Sequence, residues 1–268
     1  MDLSIIIVSF NDRDDLARCL DALRSSPPST PHEIIVVDNA SNDLSIEAAR
    51  RWPELRVIVN AANLGFARAN NIGIRASAGE FVLLLNSDTV VPAGAIDHLV
   101  DRLRRDPAIA VIGPRLVDSG GRAELSFGSM MGPFNELRQK ILVRGHARRL
   151  PIVSALVETL TSRPGFPDWV SGACLLVRRS DADAVNLLDE RYFMYAEDVD
   201  FCAAIRGRGR RVCFDPTVTV VHRRGRSATP DTAIEAAYRR SQLAFYEKHH
   251  PAWTPVLRWY LRLRGIAT

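Results

Sequence analysis

The first 115 residues alternate between short apolar runs and stretches of helical periodicity, and this alternation limits the folds open to the chain. Five runs of strand length, rich in branched aliphatic residues, lie near 3–10, 32–39, 56–60, 80–88 and 110–114. Between the first two, Leu16, Cys19, Leu20 and Leu23 recur at helical spacing. Apolar strands that alternate with helices are typical of a parallel sheet covered on both sides. We therefore predict an α/β fold with a mainly parallel central sheet and helices on both faces.

Composition narrows the cellular setting. The chain has 268 residues, of which 47% are hydrophobic, yet no apolar run approaches the roughly 18 residues of a membrane span. The N-terminal "MDLSIIIVSF" enters a strand pattern at once, without the basic region of a signal peptide. The four cysteines are scattered and form no CxxC pair, which argues against a zinc site or a disulfide framework. We expect a cytoplasmic protein.

Polar residues stand where three of the predicted strands end. Asn11 follows the first strand, Asp38 follows the second, and Asn86 and Asp88 follow the fourth. In parallel sheets, ligands bind at the carboxyl ends of the strands. No GxGxxG follows the first strand and no GxxxxGK[ST] occurs in the chain, so ordinary NAD enzymes and P-loop NTPases are disfavoured. From the residues alone, Asp88 is either a ligand for a hard cation or a cap of the following turn.

A second group of acids lies in "AEDVDF", where Glu197, Asp198 and Asp200 fall within four residues. Acids suit the first turn of a helix because they complement its dipole. Carboxylates crowded into a pocket can also have raised pKa values, as a general base requires. The two interpretations are compatible, since a helix start would hold the carboxylates in place.

Six segments occur in the order and spacing of one known family. They are "SIIIVSFND", "IIVVDNASND", "NAANLGFARANNIGI", "GEFVLLLNSDT", "WVSGACLLVRR" and "FMYAEDVDFCAAIRGRGRRVCFDPTVTVVHRRGRS". Over roughly residues 3–227 the chain resembles the inverting family 2 glycosyltransferases of GT-A fold, in particular their bacterial rhamnosyltransferase-like branch. The resemblance implies transfer of a sugar, rhamnose or another hexose, from a dTDP- or UDP-linked donor. The implied acceptor is a hydroxyl of a cell-envelope glycan or of a polyprenyl-linked saccharide.

The resemblance also implies roles for single residues. "NSD" stands in place of the metal-binding DxD motif, with Asn86 in place of its first acid, so Asp88 and His222 are the implied ligands of Mg²⁺ or Mn²⁺. Asp198 matches the catalytic base. The implied acceptor-side residues are Trp169, Gly172, Glu197 and Asp200. The implied nucleotide-sugar contacts are Val8, Ser9, Phe10, Asp38, Asn39, Asn63, Gly65, Asn70, Asn86, Ser87 and Asp88.

We predict a single GT-A catalytic domain over residues 1–230, with a nucleotide-binding half at 1–115 and an acceptor-binding half at 116–230. One helix flanked by loops is expected within 125–165, and a C-terminal helical extension over 231–268. The arginines and aromatic residues of that extension suit contact with the cytoplasmic face of a membrane, but packing on the domain or dimer formation would use them equally well. No nucleic-acid partner is expected.

Two other functions compete with transfer. A metal-dependent phosphate hydrolase could use Asp88, but the dense set of Asp, His and Glu residues typical of a two-metal site is not apparent in the sequence. A sugar-nucleotide-binding protein without transfer activity would not need the base Asp198.

Overall fold

The computed structural model describes residues 1–223, 231–264 and 266 of the chain. The strands among these residues are β1 (Leu3–Ser9), β2 (His32–Asp38), β3 (Arg56–Val59), β4 (Phe81–Asn86), β5 (Thr89–Val90), β6 (Ile109–Val117), β7 (Phe127–Gly128), β8 (Trp169–Val170), β9 (Cys174–Arg178) and β10 (Arg211–His222). The helices are α1 (Arg13–Ser25), α2 (Ser45–Arg50), α3 (Phe66–Ala76), α4 (Ala95–Arg105), α5 (Pro133–Ala147), α6 (Pro151–Thr161), α7 (Arg179–Ala184), α8 (Glu197–Gly207), α9 (Asp231–His249) and α10 (Thr254–Leu263).

Eight strands form one sheet in the order β3-β2-β1-β4-β9-β6-β10-β5. The pairs among β3, β2, β1 and β4 are parallel, as is the pair of β6 with β10. Strand β9 lies antiparallel between β4 and β6, and β5 pairs antiparallel with β10. The predicted α/β class with a mainly parallel sheet is confirmed. The five strands predicted from the sequence did not include β9, the antiparallel strand that lies between β4 and β6.

Helices cover both faces of this sheet because successive side chains of a strand point to opposite faces. Ile5 and Ile7 of β1 belong to one apolar cluster, which includes residues of α1 and α4. Ile6 belongs to a second cluster on the other face, with residues of α3 and α8. All three isoleucines are fully buried. Burial on both faces explains why the strand has no alternation of polar and apolar residues.

The ends of three parallel strands meet at one edge, as the polar turns predicted. The β1–β2 register pairs Ser9 with Asp38, and the β1–β4 register pairs Val8 with Asn86. Strand β4 ends at Asn86, so Ser87 and Asp88 belong to the following turn and not to the predicted strand 80–88. This edge of the sheet places Ser9, Asp38 and Asn86 close to one another.

The second half of the chain holds more structure than expected. The region 125–165 contains two helices, α5 and α6, in place of the one predicted helix, and β7 pairs with β8 as a separate two-stranded sheet. Helices α9 and α10 pack through a third apolar cluster on the segment that leads into α8. The predicted domain boundary after residue 230 adjoins the segment 224–230, which lies outside the described residues.

No helix in the described part of the chain is long and apolar enough to cross a membrane. The four cysteines are buried free thiols.

Candidate functional site

Asn39 organises the turn that follows β2. Its amide nitrogen donates to Asn63 Oδ1 at 2.9 Å and to the Gly65 carbonyl at 3.2 Å. Its amide oxygen accepts from Asn60 Nδ2 at 3.0 Å and from the Leu64 N–H at 3.1 Å. The side chain is 2% exposed. Asn39 thus joins the end of β2 to the loop before α3, and its own polar atoms are used in doing so.

Asp38, beside this network, has one carboxylate oxygen without a hydrogen-bond partner among the described residues. One carboxylate oxygen accepts from the Ser41 N–H at 3.0 Å, while the other is buried and has no hydrogen-bond partner among the described residues. An unpaired buried acceptor costs about 1–3 kcal/mol unless a ligand supplies a donor. A nucleobase N–H is a donor of that kind.

The other residues predicted to contact the nucleotide sugar differ in their exposure and in their hydrogen bonds. Val8 is half-buried, and Phe10 is exposed at the end of β1. Ser9 is buried with its hydroxyl turned to Asp12. Asn70 is buried and donates to the Phe66 carbonyl one turn earlier in α3, at 3.0 Å. The Asn70 amide is therefore engaged within its own helix.

Gly65 allows the start of α3 to contact the segment that precedes α8. Its φ of +83° and ψ of 173° belong to a region open essentially to glycine alone. A Cβ at this position would lie 2.3 Å from the Phe193 carbonyl oxygen, and the next residue, Phe66, donates its N–H to that same oxygen at 2.6 Å. The start of α3 is thus held against the segment that precedes α8.

We expect Gly65→Ala to lower the free energy of unfolding by at least about 3 kcal/mol, because it combines backbone strain with a clash against backbone. Chemical denaturation measures this. Gly209→Ala is the matched control, since Gly209 also has a positive φ of +78° but a Cβ there would meet nothing within 4 Å. Equal losses in the two variants would show that the contact with Phe193 contributes nothing.

Asp88 and His222 meet at the other side of this edge. The Nε2 atom of His222 lies 3.3 Å from Asp88 Oδ1, and its Nδ1 atom lies 3.0 Å from Glu124 Oε2. Burial alone would lower the pKa of His222, but its hydrogen bonds to Asp88 and Glu124 outweigh burial and raise the pKa to about 9. A pKa of this height favours the protonated, positively charged ring at neutral pH. A metal ion that bound to Nε2 of His222 would have to displace the proton on that nitrogen.

Asn86 completes this group. Its Nδ2 lies 3.5 Å from His222 Nε2, while its Oδ1 is buried without a partner in the part of the chain that the structure describes. The main chain at this residue is anchored, since the Asn86 N–H donates to the Ala173 carbonyl at 2.9 Å. An unpaired amide oxygen beside a carboxylate and an imidazole is a set of ligands acceptable to Mn²⁺ or Mg²⁺.

Two carboxylates at this edge were missed in the sequence. Asp12 accepts hydrogen bonds from the hydroxyls of Ser9 and Ser87, so it ties the end of β1 to the "NSD" turn. Burial raises the pKa of Asp12, and nearby Asp43 and Asp88 add to the shift against the opposing effect of the two hydroxyls. From the sequence, Asp12 is expected only to form the turn after the first strand. Glu124 lies 98 residues from His222, and no local pattern connects the two.

Asp198 lies in the first turn of α8, which begins after two residues of positive φ, Tyr195 at +70° and Ala196 at +65°. Such backbone is unusual for residues other than glycine and is found at sites where the chain must aim a side chain. Burial raises the pKa of Asp198, although the N–H groups of Gly172 (2.9 Å) and Val199 (2.8 Å) favour its charged form. The result is a carboxylate with an elevated pKa and a fixed orientation.

The acids on either side of Asp198 have different surroundings. Glu197 is 6% exposed, and one of its oxygens has no partner among the described residues. Burial and the charge of Asp198 raise the pKa of Glu197 well above its ordinary value. Asp200 is buried as well, but it accepts from Lys248 Nζ at 2.8 Å and pairs with His249 Nε2 at 2.6 Å. Its carboxylate therefore holds α9 against α8.

Trp169 begins β8, and Gly172 lies in the turn after that strand, next to Asp198. A Cβ on Gly172 would come within 3.3 Å of the Phe66 ring and 3.5 Å of the Asp198 Cβ. The indole of Trp169 is half-buried and donates its Nε1–H to the Ser129 carbonyl at 3.0 Å. Gly172 thus lies directly beside Asp198, whereas Trp169 is tied to the segment that follows β7.

Comparison with known proteins places this geometry in a family. The model of the family described as "Glycosyl transferase family 2" matches residues 4–156. The chain is 32% identical to an N-acetylglucosaminyl-diphospho-decaprenol L-rhamnosyltransferase of Mycobacterium tuberculosis, with 97% of this chain and 89% of the relative aligned. It is 26% identical to the rhamnosyltransferase WbbL of Escherichia coli, over 81% of this chain and 82% of that protein.

Solved structures of low sequence identity share the fold. GalNAc-T7 with UDP, GalNAc and Mn²⁺ superposes with a TM-score of 0.65 at 17% identity, over 92% of this chain. This chain spans 48% of GalNAc-T7. The mannosyltransferase PcManGT of Pyrobaculum calidifontis, in complex with GDP-Man and Mn²⁺, superposes with a TM-score of 0.59 at 19% identity, over 96% of this chain and 68% of that one. The fold is GT-A, and the chain belongs to glycosyltransferase family 2, in the neighbourhood of its rhamnosyltransferases.

Proposed function

We propose that this protein transfers a hexose, with rhamnose as the first candidate, from a nucleoside-diphosphate sugar to a hydroxyl of a lipid-linked saccharide, with inversion at the anomeric carbon. The observation that carries the proposal is the linkage between the base and the "NSD" turn. Gly172 donates to Asp198, and the next residue, Ala173, accepts from Asn86. Two consecutive residues thus connect the carboxylate that would accept a proton with the group that would hold the donor diphosphate.

These positions support the following reaction. Asp198 takes the proton of the acceptor hydroxyl while that oxygen forms a bond to the anomeric carbon. The bond from the anomeric carbon to the diphosphate oxygen breaks in the same displacement, and its electron pair leaves with the nucleoside diphosphate. Attack opposite the leaving group inverts the anomeric configuration. The N–H groups of Gly172 and Val199 keep the Asp198 carboxylate oriented for this proton transfer.

The residues present fit a divalent cation that is shared with the substrate. Asp88, His222 and the unpaired oxygen of Asn86 would hold it, with Glu124 orienting the imidazole from behind. Within the described residues, no three His, Cys, Asp or Glu side chains form a metal-holding group by themselves, so the donor diphosphate would complete the ligand set. When bound, Mg²⁺ or Mn²⁺ would offset the charge that develops on the departing diphosphate.

The donor and the acceptor are the finer part of the proposal. The relative with 32% identity is named for rhamnosyl transfer to a decaprenyl-diphosphate-linked N-acetylglucosamine, which supports a deoxyhexose donor and a polyprenyl-linked acceptor here. The neighbouring structures were solved with UDP and with GDP-Man, so the nucleotide is a separate question.

A panel of dTDP-, UDP- and GDP-sugars with Mn²⁺ and a polyprenyl-diphosphate N-acetylglucosamine acceptor tests the proposal. We expect one donor to give a disaccharide product whose new linkage has the inverted configuration by NMR. Release of sugar 1-phosphate and nucleoside monophosphate without any dependence on the acceptor would instead identify a phosphate hydrolase. Binding of a donor without turnover would identify a sugar-nucleotide-binding protein.

The two neighbouring acids predict a particular pH dependence. The value of kcat/KM should fall as the pH decreases through the raised pKa of Asp198, because the protonated acid cannot accept a proton. Burial, with a further contribution from the charge of Asp198, raises the pKa of Glu197 well above its ordinary value, so we expect Glu197 to stay protonated while Asp198 titrates. Glu197→Gln replaces one neutral group by another, so the acidic limb of its pH profile should coincide with that of the wild type. A limb displaced to lower pH in this variant would show that Glu197 is charged while Asp198 titrates.

A further inference from the structure

Helices α5 and α10 leave apolar side chains exposed. On α5 these are Phe134, Leu137 and Ile141, whose spacing of three and four places them on one face; Phe134 is 77% exposed. On α10 the exposed side includes Trp259, which is 64% exposed, and Tyr260, while Leu257 and Leu261 face the protein. We call Phe134, Leu137, Ile141, Trp253, Trp259 and Tyr260 the apolar surface. Exposed apolar groups in such number on neighbouring helices indicate an interaction site.

The two helices belong to one packed unit. The rings of Phe134 and Trp253 meet edge to face with their centroids 6.4 Å apart, which joins the start of α5 to the start of α10. On its buried side, α5 is held by Glu136, which accepts from Gln242 at 2.5 Å and from Tyr246 at 2.6 Å, both on α9. The exposed apolar side chains of α5 therefore lie on the face of the helix that does not pack against α9.

The charges around the apolar surface have one sign. Residues 133–163 and 253–264 carry nine of the 35 Lys and Arg residues but two of the 31 Asp and Glu residues. The remainder of the chain has 26 basic and 29 acidic residues, so the basic excess of the whole protein resides in these two segments. Both acids are occupied, Glu136 with α9 and Glu158 with Arg115. Arg138, Arg144, Arg258 and Arg262 are exposed.

We infer that the apolar surface docks on an anionic lipid bilayer. Tryptophan and tyrosine partition to the interface between lipid headgroups and acyl chains, and surrounding arginines add attraction to anionic headgroups. A second copy of the chain is a poorer occupant, because a two-fold contact through this surface would set each positive region against itself.

Docking would bring the catalytic centre close to the lipid headgroups. Leu257 and Leu261 of α10 pack in the same apolar cluster as Ala196 and Val199, which flank the base Asp198. A saccharide carried on a membrane-embedded lipid would then reach the site without leaving the bilayer. The docking itself does not depend on the proposed transfer reaction, because it concerns binding to lipid in the absence of substrates.

Co-sedimentation of the full chain with vesicles tests the inference. We expect binding to vesicles of phosphatidylcholine mixed with phosphatidylglycerol and much weaker binding to phosphatidylcholine alone. Trp259→Glu should weaken binding to the anionic vesicles at least about tenfold, because it removes an interfacial anchor and adds a repelled charge. Arg262→Gln should weaken it about fivefold, which corresponds to the loss of one basic residue at the surface.

Arg105→Glu on α4 is the matched control. It makes a larger change in net charge than Trp259→Glu, at an exposed position outside the apolar surface, and should leave vesicle binding nearly unchanged. Wild-type binding by the Trp259→Glu variant would overturn the inference, as would equal binding to neutral and anionic vesicles. A stable dimer that Trp259→Glu dissociates, together with no vesicle binding, would assign the surface to self-association instead.

Discussion

Asp198→Asn should lower kcat for sugar transfer by about 10² to 10⁴, the contribution expected of a general base. The amide cannot take the acceptor proton. Its oxygen can still accept from one of the two N–H groups, Gly172 or Val199, so the fold around α8 should survive although one of these hydrogen bonds is lost. Because the proposed role of Asp198 concerns the acceptor, affinity for the nucleoside diphosphate should remain close to that of the wild type. Steady-state kinetics and a nucleotide titration measure the two quantities on the same protein.

Asp183→Asn makes the same chemical change at an exposed position in α7 and serves as the control. It should retain wild-type kcat. Near-normal turnover by Asp198→Asn would show that another group accepts the proton, while a matched loss of nucleotide affinity would show that the substitution had disturbed the donor site instead.

Asp88→Ala should weaken the Mn²⁺-dependent part of nucleoside-diphosphate affinity by about 100-fold or more, since the loss of a second-shell partner alone typically costs about 10- to 100-fold. The effect is expected to be large because Asn86 is neutral, which leaves Asp88 as the one carboxylate of the "NSD" turn. Titrations of nucleoside diphosphate with and without Mn²⁺ isolate the metal-dependent part.

Glu124→Gln provides a graded comparison, because Glu124 contacts the far nitrogen of His222 and would touch no cation itself. We expect a smaller loss of Mn²⁺-dependent affinity, about tenfold. If Asp88→Ala left the difference between the two titration curves unchanged, the assignment of the metal site to this turn would be wrong.

Much of the first half of the chain could be predicted from the sequence because its signals are local. Strands β1, β2 and β4 are continuous apolar runs that end in polar turns, and parallel strands bring those turns to one edge. The acids of "AEDVDF" also read correctly as a helix start, since α8 begins at Glu197. Their roles in catalysis stay predictions, as do those of the other site residues.

The structure of the second half of the chain was harder to predict from the sequence, because its elements are short or depend on contacts with residues distant in the chain. Strand β9 has five residues, and nothing within it indicates that it runs antiparallel between β4 and β6. Helices α5 and α6 have no simple apolar stripe facing the core, since α5 is anchored by a buried carboxylate, Glu136, and leaves apolar residues outside.

The sequence by itself determined the α/β class, the family and the strand ends at which ligands can bind, because periodicity and short motifs are properties of neighbouring residues. The tertiary structure alone decided which charged and polar side chains come into contact. Asp12 joins Ser9 to Ser87, Glu124 reaches His222 across 98 residues, and Asp200 holds His249 across 49. Electrostatic interactions depend on distance in space and on burial, and neither can be read from separation along the chain.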